Sequence, residues 1–385
     1  MTISEPRILL SSPHMSGNEQ KYIKEAFDTN WIAPLGPNVN KFEKDIADYA
    51  GTKGASVTSS GTAAIHLALD ILGVGKEDIV FCSTFTFIAS ANPVLYLGAH
   101  LTFIDSEPDT WNMSPRALER ALAKSKNKKK LPKAIIVVNL YGQSSKMDEL
   151  LAIANSYNVP IIEDAAESLG SEYKNKKSGS LGKIGIYSFN GNKIITTSGG
   201  GALVSNDEEI LQKSRFLATQ ARDQAPHYQH SVIGYNYRMS NVIAGIGIAQ
   251  LEVLEDRVNS RRIIFDRYHK ELSSIQGVNF MSELEHTKSN RWLTTLTIDS
   301  SIIKLTPYEI IDKMNEANIE TRALWKPLHM QPLFSNTQIF LHNESRKSVS
   351  ECLFDRGICI PSGSNLTNNQ QYKVIDQLKK ILVKK

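Results

Sequence analysis

Cysteine is scarce in this chain: three in 385 residues, Cys82, Cys352 and Cys359, an odd number without a short paired spacing. That excludes a disulfide framework and a zinc knuckle, and the expected setting is a reducing cytoplasm. Long apolar runs are missing too. No stretch approaches the roughly eighteen apolar residues of a membrane span, and Met1 to Ser12 has no charged region followed by an apolar run, so neither a membrane helix nor a secretory leader is expected. Excess charge is small, +4 overall, and gives no reason to expect nucleic acid as a partner. The one basic run, Lys124 to Lys133, reads as a solvated connector, because like charges resist packing together. Repeats and other low-complexity segments are lacking.

What remains is the composition of an ordinary globular protein, 41% hydrophobic and 22% charged. The length favours two domains in close contact. From Lys53 onward, short apolar runs alternate with helical patterns. Strands are expected at Ala55 to Thr58, Ile79 to Thr84, His100 to Ile104, Ala134 to Asn139 and Val159 to Glu163, and helices at Gly61 to Leu72, Pro115 to Lys124 and Lys146 to Tyr157. Strands without polar alternation, separated by helices, imply a parallel sheet covered on both faces, so the large domain is α/β. Two further strands, Ile184 to Phe189 and Gly201 to Ser205, flank a glycine-rich hairpin-like segment. A long helical region from Met239 to Leu272 is expected to link this domain, residues 1–255, to a small α+β domain, residues 256–385. The latter has strands at Trp292 to Ile298, Ile319 to Leu324 and Ile358 to Pro361, and helices at Pro307 to Ala317, Glu344 to Phe354 and Tyr372 to Leu382.

In parallel sheets ligands bind beyond the carboxyl ends of the strands, and three unusual segments fall there. Ser59-Ser60-Gly61-Thr62-Ala63-Ala64 follows a strand and opens a helix; small residues there leave backbone N–H groups open to a phosphate, although a plain serine N-cap has the same appearance. Asp164 ends the buried strand Ile161-Ile162-Glu163. A desolvated carboxylate needs a cation, and a protonated pyridine nitrogen is one that catalysis can use; a helix cap or a metal ligand are the other readings, and no histidine neighbours Asp164 to support a metal. Lys193 sits in Ser188-Phe189-Asn190-Gly191-Asn192-Lys193, among small and hydroxylated residues unlike the surroundings of a surface lysine. An ε-amine that loses its proton in a desolvated site can form an imine and afterwards move a Cα proton. Each segment alone has an ordinary explanation. Their order along the chain, phosphate loop, strand-end Asp, then a lysine some thirty residues on, points to pyridoxal 5'-phosphate (PLP).

With these segments the sequence resembles the DegT/DnrJ/StrS family of nucleotide-sugar aminotransferases. The resemblance runs from Pro13-His14-Met15 to the C-terminal domain. It is strongest in Ser60 to Ala64, Thr84 to Phe87, Glu163 to Ala166, Ser188 to Lys193, Gly199 to Gly201, Gly234 to Ser240 and Trp325 to His329. It implies fold type I of the PLP-dependent transferases, the aspartate aminotransferase-like architecture. It also implies PLP as a Schiff base on Lys193, Asp164 paired with the ring nitrogen, Phe87 stacked on the ring and Glu167 beside it. Gly61, Thr62, Ala63, Ser188 and Asn190 would hold the cofactor and its phosphate, and Asn236 would reach the phosphate from the other subunit of a homodimer. Asn30, Trp31, Ile32, Ala33, Ser60, Lys326, Pro327, Leu328 and His329 would border the sugar nucleotide, and Arg238 or Arg322 the carboxylate of the amino donor. Asn139 and Glu167 depart from the family, where histidine, or at 167 also glutamine, is common.

Within the family the match is nearest the branch of bacillosamine synthesis. The implied reaction moves the amino group of glutamate to C4 of a UDP-linked 2-acetamido-2,6-dideoxy-4-ketohexose. Two other readings compete. A sugar dehydratase of the same family would typically carry histidine in place of Lys193, and a PLP-binding regulator would need a helix-turn-helix segment or basic arm, which is not evident.

Overall fold

The structure, a computed structural model, describes residues 6–344 and 346–383. Residues 1–5 of the N-terminal stretch and Ser345 of the expected helix Glu344 to Phe354 lie outside them. The main sheet has eight strands, ordered Gly54–Thr58, Gly201–Ser205, Ile184–Ser188, Ile161–Asp164, Ala134–Val138, Ile79–Ser83, His100–Ile104, Gln338–Phe340. Gly201–Ser205 runs antiparallel to both neighbours, and the remaining pairs are parallel. Continuous apolar strands such as Ala-Ile-Ile-Val-Val at Ala134–Val138 are buried along their whole length, because helices cover both faces. On one face the helix Gly61–Ile71 packs with the chain around Val94 and Leu217; on the other lie Pro115–Asn127 and Met147–Ser156.

A second sheet of four strands, Val278–Phe280, Thr294–Ile298, Gly357–Ile360 and Arg322–Ala323, is wholly antiparallel. It packs against Leu254–Leu272, Pro307–Glu316 and Asn368–Leu382 around a core that includes Leu296, Ile310, Ile358 and Val374. This is the small α+β domain.

The expected long helix from Met239 to Leu272 is two helices, Asn241–Leu251 and Leu254–Leu272. The break is held at Glu252, whose carboxylate accepts from Asn18 Nδ2 at 3.0 Å and Tyr22 Oη at 2.5 Å. The expected strand Ile319 to Leu324 shrinks to Arg322–Ala323, because Ile319 instead bridges to Ile8. The helix expected from Glu344 starts at Val349: the Asp105 carboxylate accepts the backbone N–H groups of Val349 and Ser350 and the hydroxyls of Ser348 and Ser350. The helix Pro37–Ala50 and the edge strand Gln338–Phe340 were not foreseen. Two segments pack on the other side of the boundary expected at 255. Ile8 belongs to the core of the small domain, and Gln338–Phe340 extends the large sheet.

Candidate active site

The strands Ile161–Asp164 and Ile184–Ser188, together with the N-terminus of Gly61–Ile71, end around one cavity of about 280 Å³. Its lining includes Ser60, Gly61, Thr62, Phe87, Asp164, Glu167, Ser188, Asn190 and Lys193. Residues as far apart in sequence as Ser60 and Lys193, 133 positions, therefore meet where the topology of the sheet places a ligand.

Ser60 caps the helix Gly61–Ile71 with extended backbone, and its Oγ accepts the Ala63 N–H at 3.0 Å. Ala63, expected among the cofactor contacts, thus has its N–H engaged, and it is not part of the cavity wall. Gly61 and Thr62 keep the first N–H groups of the helix for an anion. Close approach explains two glycines here. A Cβ on Gly61 would come within 3.1 Å of Ser188 Cβ, and one on Gly201 within 2.5 Å of the Gly61 nitrogen. The strand that follows the lysine loop can lie against the helix start only without a side chain at 201.

Asp164 is buried; it accepts from Ser90 Oγ at 2.7 Å and from the Ala166 N–H at 3.1 Å. Burial pushes its carboxyl above the usual range, and those donors and Lys193 only partly offset this. Glu167 is also buried, with Oε2 accepting the Tyr141 N–H at 2.7 Å, and burial pushes it up as well against the pull of Lys193. Lys193 closes the turn Asn190–Lys193 through its N–H to the Asn190 carbonyl at 3.0 Å. Its Nζ stands 3.8 Å from Glu167 Oε1 and 4.3 Å from the centre of the Trp292 ring. Burial lowers the amine's pKa, while Glu167 and Asp164 oppose that.

A phosphorylated pyridine aldehyde needs an anion cradle, a carboxylate for its ring nitrogen and an amine that can be deprotonated. All three line this one cavity, so the residues present fit the group.

Residues 13–379 match the model of the DegT/DnrJ/EryC1/StrS aminotransferase family. The chain belongs to this family. Fold type I, PLP as the cofactor and the aminotransferase class are therefore those of this chain. EpsN of Bacillus subtilis is 61% identical over 372 residues, which cover 97% of this chain and 95% of that protein. GDP-perosamine synthase of Caulobacter vibrioides is 36% identical, covering 98% and 99%. The UDP-4-amino-4,6-dideoxy-N-acetyl-beta-L-altrosamine transaminase of Campylobacter jejuni serotype O:23/36 is 34% identical, covering 91% of each. Among solved structures, a DegT DnrJ EryC1 StrS aminotransferase from Brucella abortus superposes with a TM-score of 0.88 at 28% identity, covering 96% of each chain.

Other residues that the family resemblance pointed to lie outside the cavity wall. Asn236 is exposed and bridges to Thr219, while Trp31 and Ile32 are exposed on the loop after the first helix. The Ala33 carbonyl accepts the Asn241 N–H. Arg238 is turned away: its guanidinium pairs with Glu43 and donates to the Val57 carbonyl. Arg322 pairs with Glu320. Leu328 is a core residue, Lys326 is exposed, and both ring nitrogens of His329 are engaged, one with Thr84 Oγ1 and one with Glu351. The side chain of Asn139 points to Glu163, Ser178 and the Ser145 N–H, behind the cavity.

Sequence reasoning missed several groups. Ser90 buttresses Asp164, and Trp292 faces Lys193. Tyr141 stacks between Trp292 and Trp325, at 6.3 Å from each, and Trp325 in turn meets Phe87 at 5.3 Å. No local signal marks them, since Tyr141 and Trp292 are single aromatic residues among ordinary neighbours and no spacing rule links positions 151 residues apart.

Proposed function

We propose that this chain transfers the amino group of glutamate to the C4 ketone of a UDP-linked 2-acetamido-2,6-dideoxy-4-ketohexose, yielding the 4-amino sugar. The carrying observation is the juxtaposition of Lys193, Asp164 and Glu167 in one buried cluster opposite an open helix N-terminus. When bound, the cofactor supplies an electron sink for the carbanion formed at the amino-bearing carbon. Lys193 is the amine that carries it and that moves the proton. The lowered pKa of this amine is what such a role requires, since only the neutral amine can accept a proton. Asp164 would keep the ring nitrogen protonated, Gly61, Thr62 and Ser188 would hold the phosphate, and Phe87 and Glu167 would contact the ring.

The sugar follows from likeness. One relative is named for a UDP-linked 4-amino-4,6-dideoxy sugar and another for GDP-perosamine, so the carrier is the finer part of the proposal. A second copy of the chain completes the site through Asn236. Exposed apolar side chains near that segment, Tyr228, Val232 and Ile233, support such a homodimer. Turnover of UDP-, dTDP- and GDP-linked 4-keto-6-deoxy sugars with glutamate, followed by NMR of the products, tests the reading. A preference for UDP and an amine at C4 upholds it; a GDP or dTDP preference, or amine formation only from the corresponding 3-keto sugars when these are supplied instead, overturns the substrate assignment and leaves the enzyme class intact.

A further inference from the structure

Two tryptophan contacts converge on the lysine loop. The Trp292 indole N–H donates to the Asn192 carbonyl at 2.8 Å, and the face of the same ring lies 4.3 Å from Lys193 Nζ. One side chain thus holds both the backbone of the turn and the head of the lysine. The indole itself is fixed. It is 1% exposed, stacked within 19° of parallel to Tyr141, its backbone N–H donates to Asn290 Oδ1 at 2.8 Å, and its carbonyl accepts from the buried Arg261. Asn290 donates in turn to the carbonyls of Glu167 and Leu169 at 3.0 and 2.8 Å. Trp292 stands two residues before the small-domain strand Thr294–Ile298, so this contact ties the small domain to the reacting amine of the large one.

From this geometry we infer that Trp292 is a positioning residue for Lys193: its N–H fixes the turn, and the negative face of its ring seats the ε-ammonium. The inference rests on the reading of Lys193 as the reacting amine. The groups near the amine are the carboxyls of Glu167 and Asp164 and the indole, with Tyr141 stacked on that ring and Cys359 next to Tyr141. A cation held by a ring face is stabilised relative to the neutral amine, so removal of that face lowers the pH at which Lys193 becomes reactive.

Three versions of the full chain test this: Trp292→Phe, Trp292→Leu and the wild type with its four tryptophans replaced by a fluorinated analogue, which weakens the ring face while keeping shape and N–H. After cofactor removal, labelling of Lys193 by acetic anhydride is followed against pH by peptide mass mapping, and the pH transition of the bound-cofactor absorbance is followed in the holoenzyme. Trp292→Leu should label about 3- to 10-fold faster at neutral pH, with the absorbance transition displaced downward. The fluorinated protein should shift the same way by less, and Trp292→Phe, which keeps a ring face but loses the N–H to Asn192, should fall between wild type and Trp292→Leu. No shift in the fluorinated protein, or an equal shift in the Phe and Leu variants, overturns the inference, and the fluorinated protein decides the matter should Trp292→Leu fail to fold. Borohydride mapping keeps the two readings separate. An adduct away from Lys193 removes the reading of Lys193 as the cofactor's lysine, whereas the labelling shift reports on the tryptophan contact alone.

Discussion

Lys193 Nζ lies 3.8 Å from Glu167 Oε1; the carboxyl is buried and the lysine side chain is only 13% exposed. This pairing opposes the effect of burial on each group: the carboxylate favours the ammonium, and the ammonium favours the carboxylate. Glu167→Gln removes that support while keeping the shape. The bound-cofactor absorbance should then change at a lower pH than in wild type, and the acid limb of the rate profile should move down with it. Absorbance titration of both proteins checks the direction, and an upward displacement would contradict the pairing.

Lys193→Ala should abolish the covalent link. Borohydride reduction followed by peptide mapping should place the cofactor on residue 193 in wild type and on no lysine in the variant. Turnover should fall by at least about 10³-fold, as expected when nucleophile and proton carrier are lost together.

Asp164→Asn keeps the bonding capacity toward Ser90 and removes the charge. Without a carboxylate the ring nitrogen has no counter-ion, and kcat should drop by about 10²–10³-fold while the protein remains folded. Single-turnover measurement with glutamate isolates this step; an unchanged rate would mean that another group protonates the ring.

Gly201→Ala tests the close contact with the helix start proposed to hold the phosphate. A methyl group 2.5 Å from the Gly61 nitrogen must push the helix start away from the strand, at a cost of about 1–3 kcal/mol. Calorimetry should show the loss of stability, and dialysis should show faster release of cofactor than from wild type.

Glu19 provides an acid-sensitive clasp outside the cavity wall. Burial opposes its ionisation, yet the N–H groups of Ser16 and Gly17 and the Gln250 amide hold its pKa near about 2 against an ordinary 4.5. The folded state therefore gains stability above pH 4.5 and loses it as pH falls toward 2. Glu19→Gln should cost about 1–2 kcal/mol at pH 6, and the gap should shrink by about half or more at pH 3. Urea unfolding at the two pH values measures it.

The parts of the site that could be read from sequence were those encoded locally. A serine before a small-residue helix, an acid at the end of an apolar strand and a lysine in a glycine-rich turn each signal themselves within a few residues, and all three line the cavity. The alternation of strand and helix likewise gave the parallel core. Ser90, Tyr141 and Trp292 escaped notice because their neighbours in sequence are ordinary. Their meaning comes from Asp164, Glu167 and Lys193, which lie 74, 26 and 99 positions away.

By itself the chain determined the class of chemistry, since the chemical type and order of the phosphate loop, acid and lysine are covalent facts. Tertiary structure alone decided the electrostatics. Burial raises two carboxyls and lowers one amine, a tryptophan from the small domain faces that amine, and Arg238 is drawn to Glu43 instead of the cavity. Protonation depends on distance and desolvation, and neither exists until the strands have assembled.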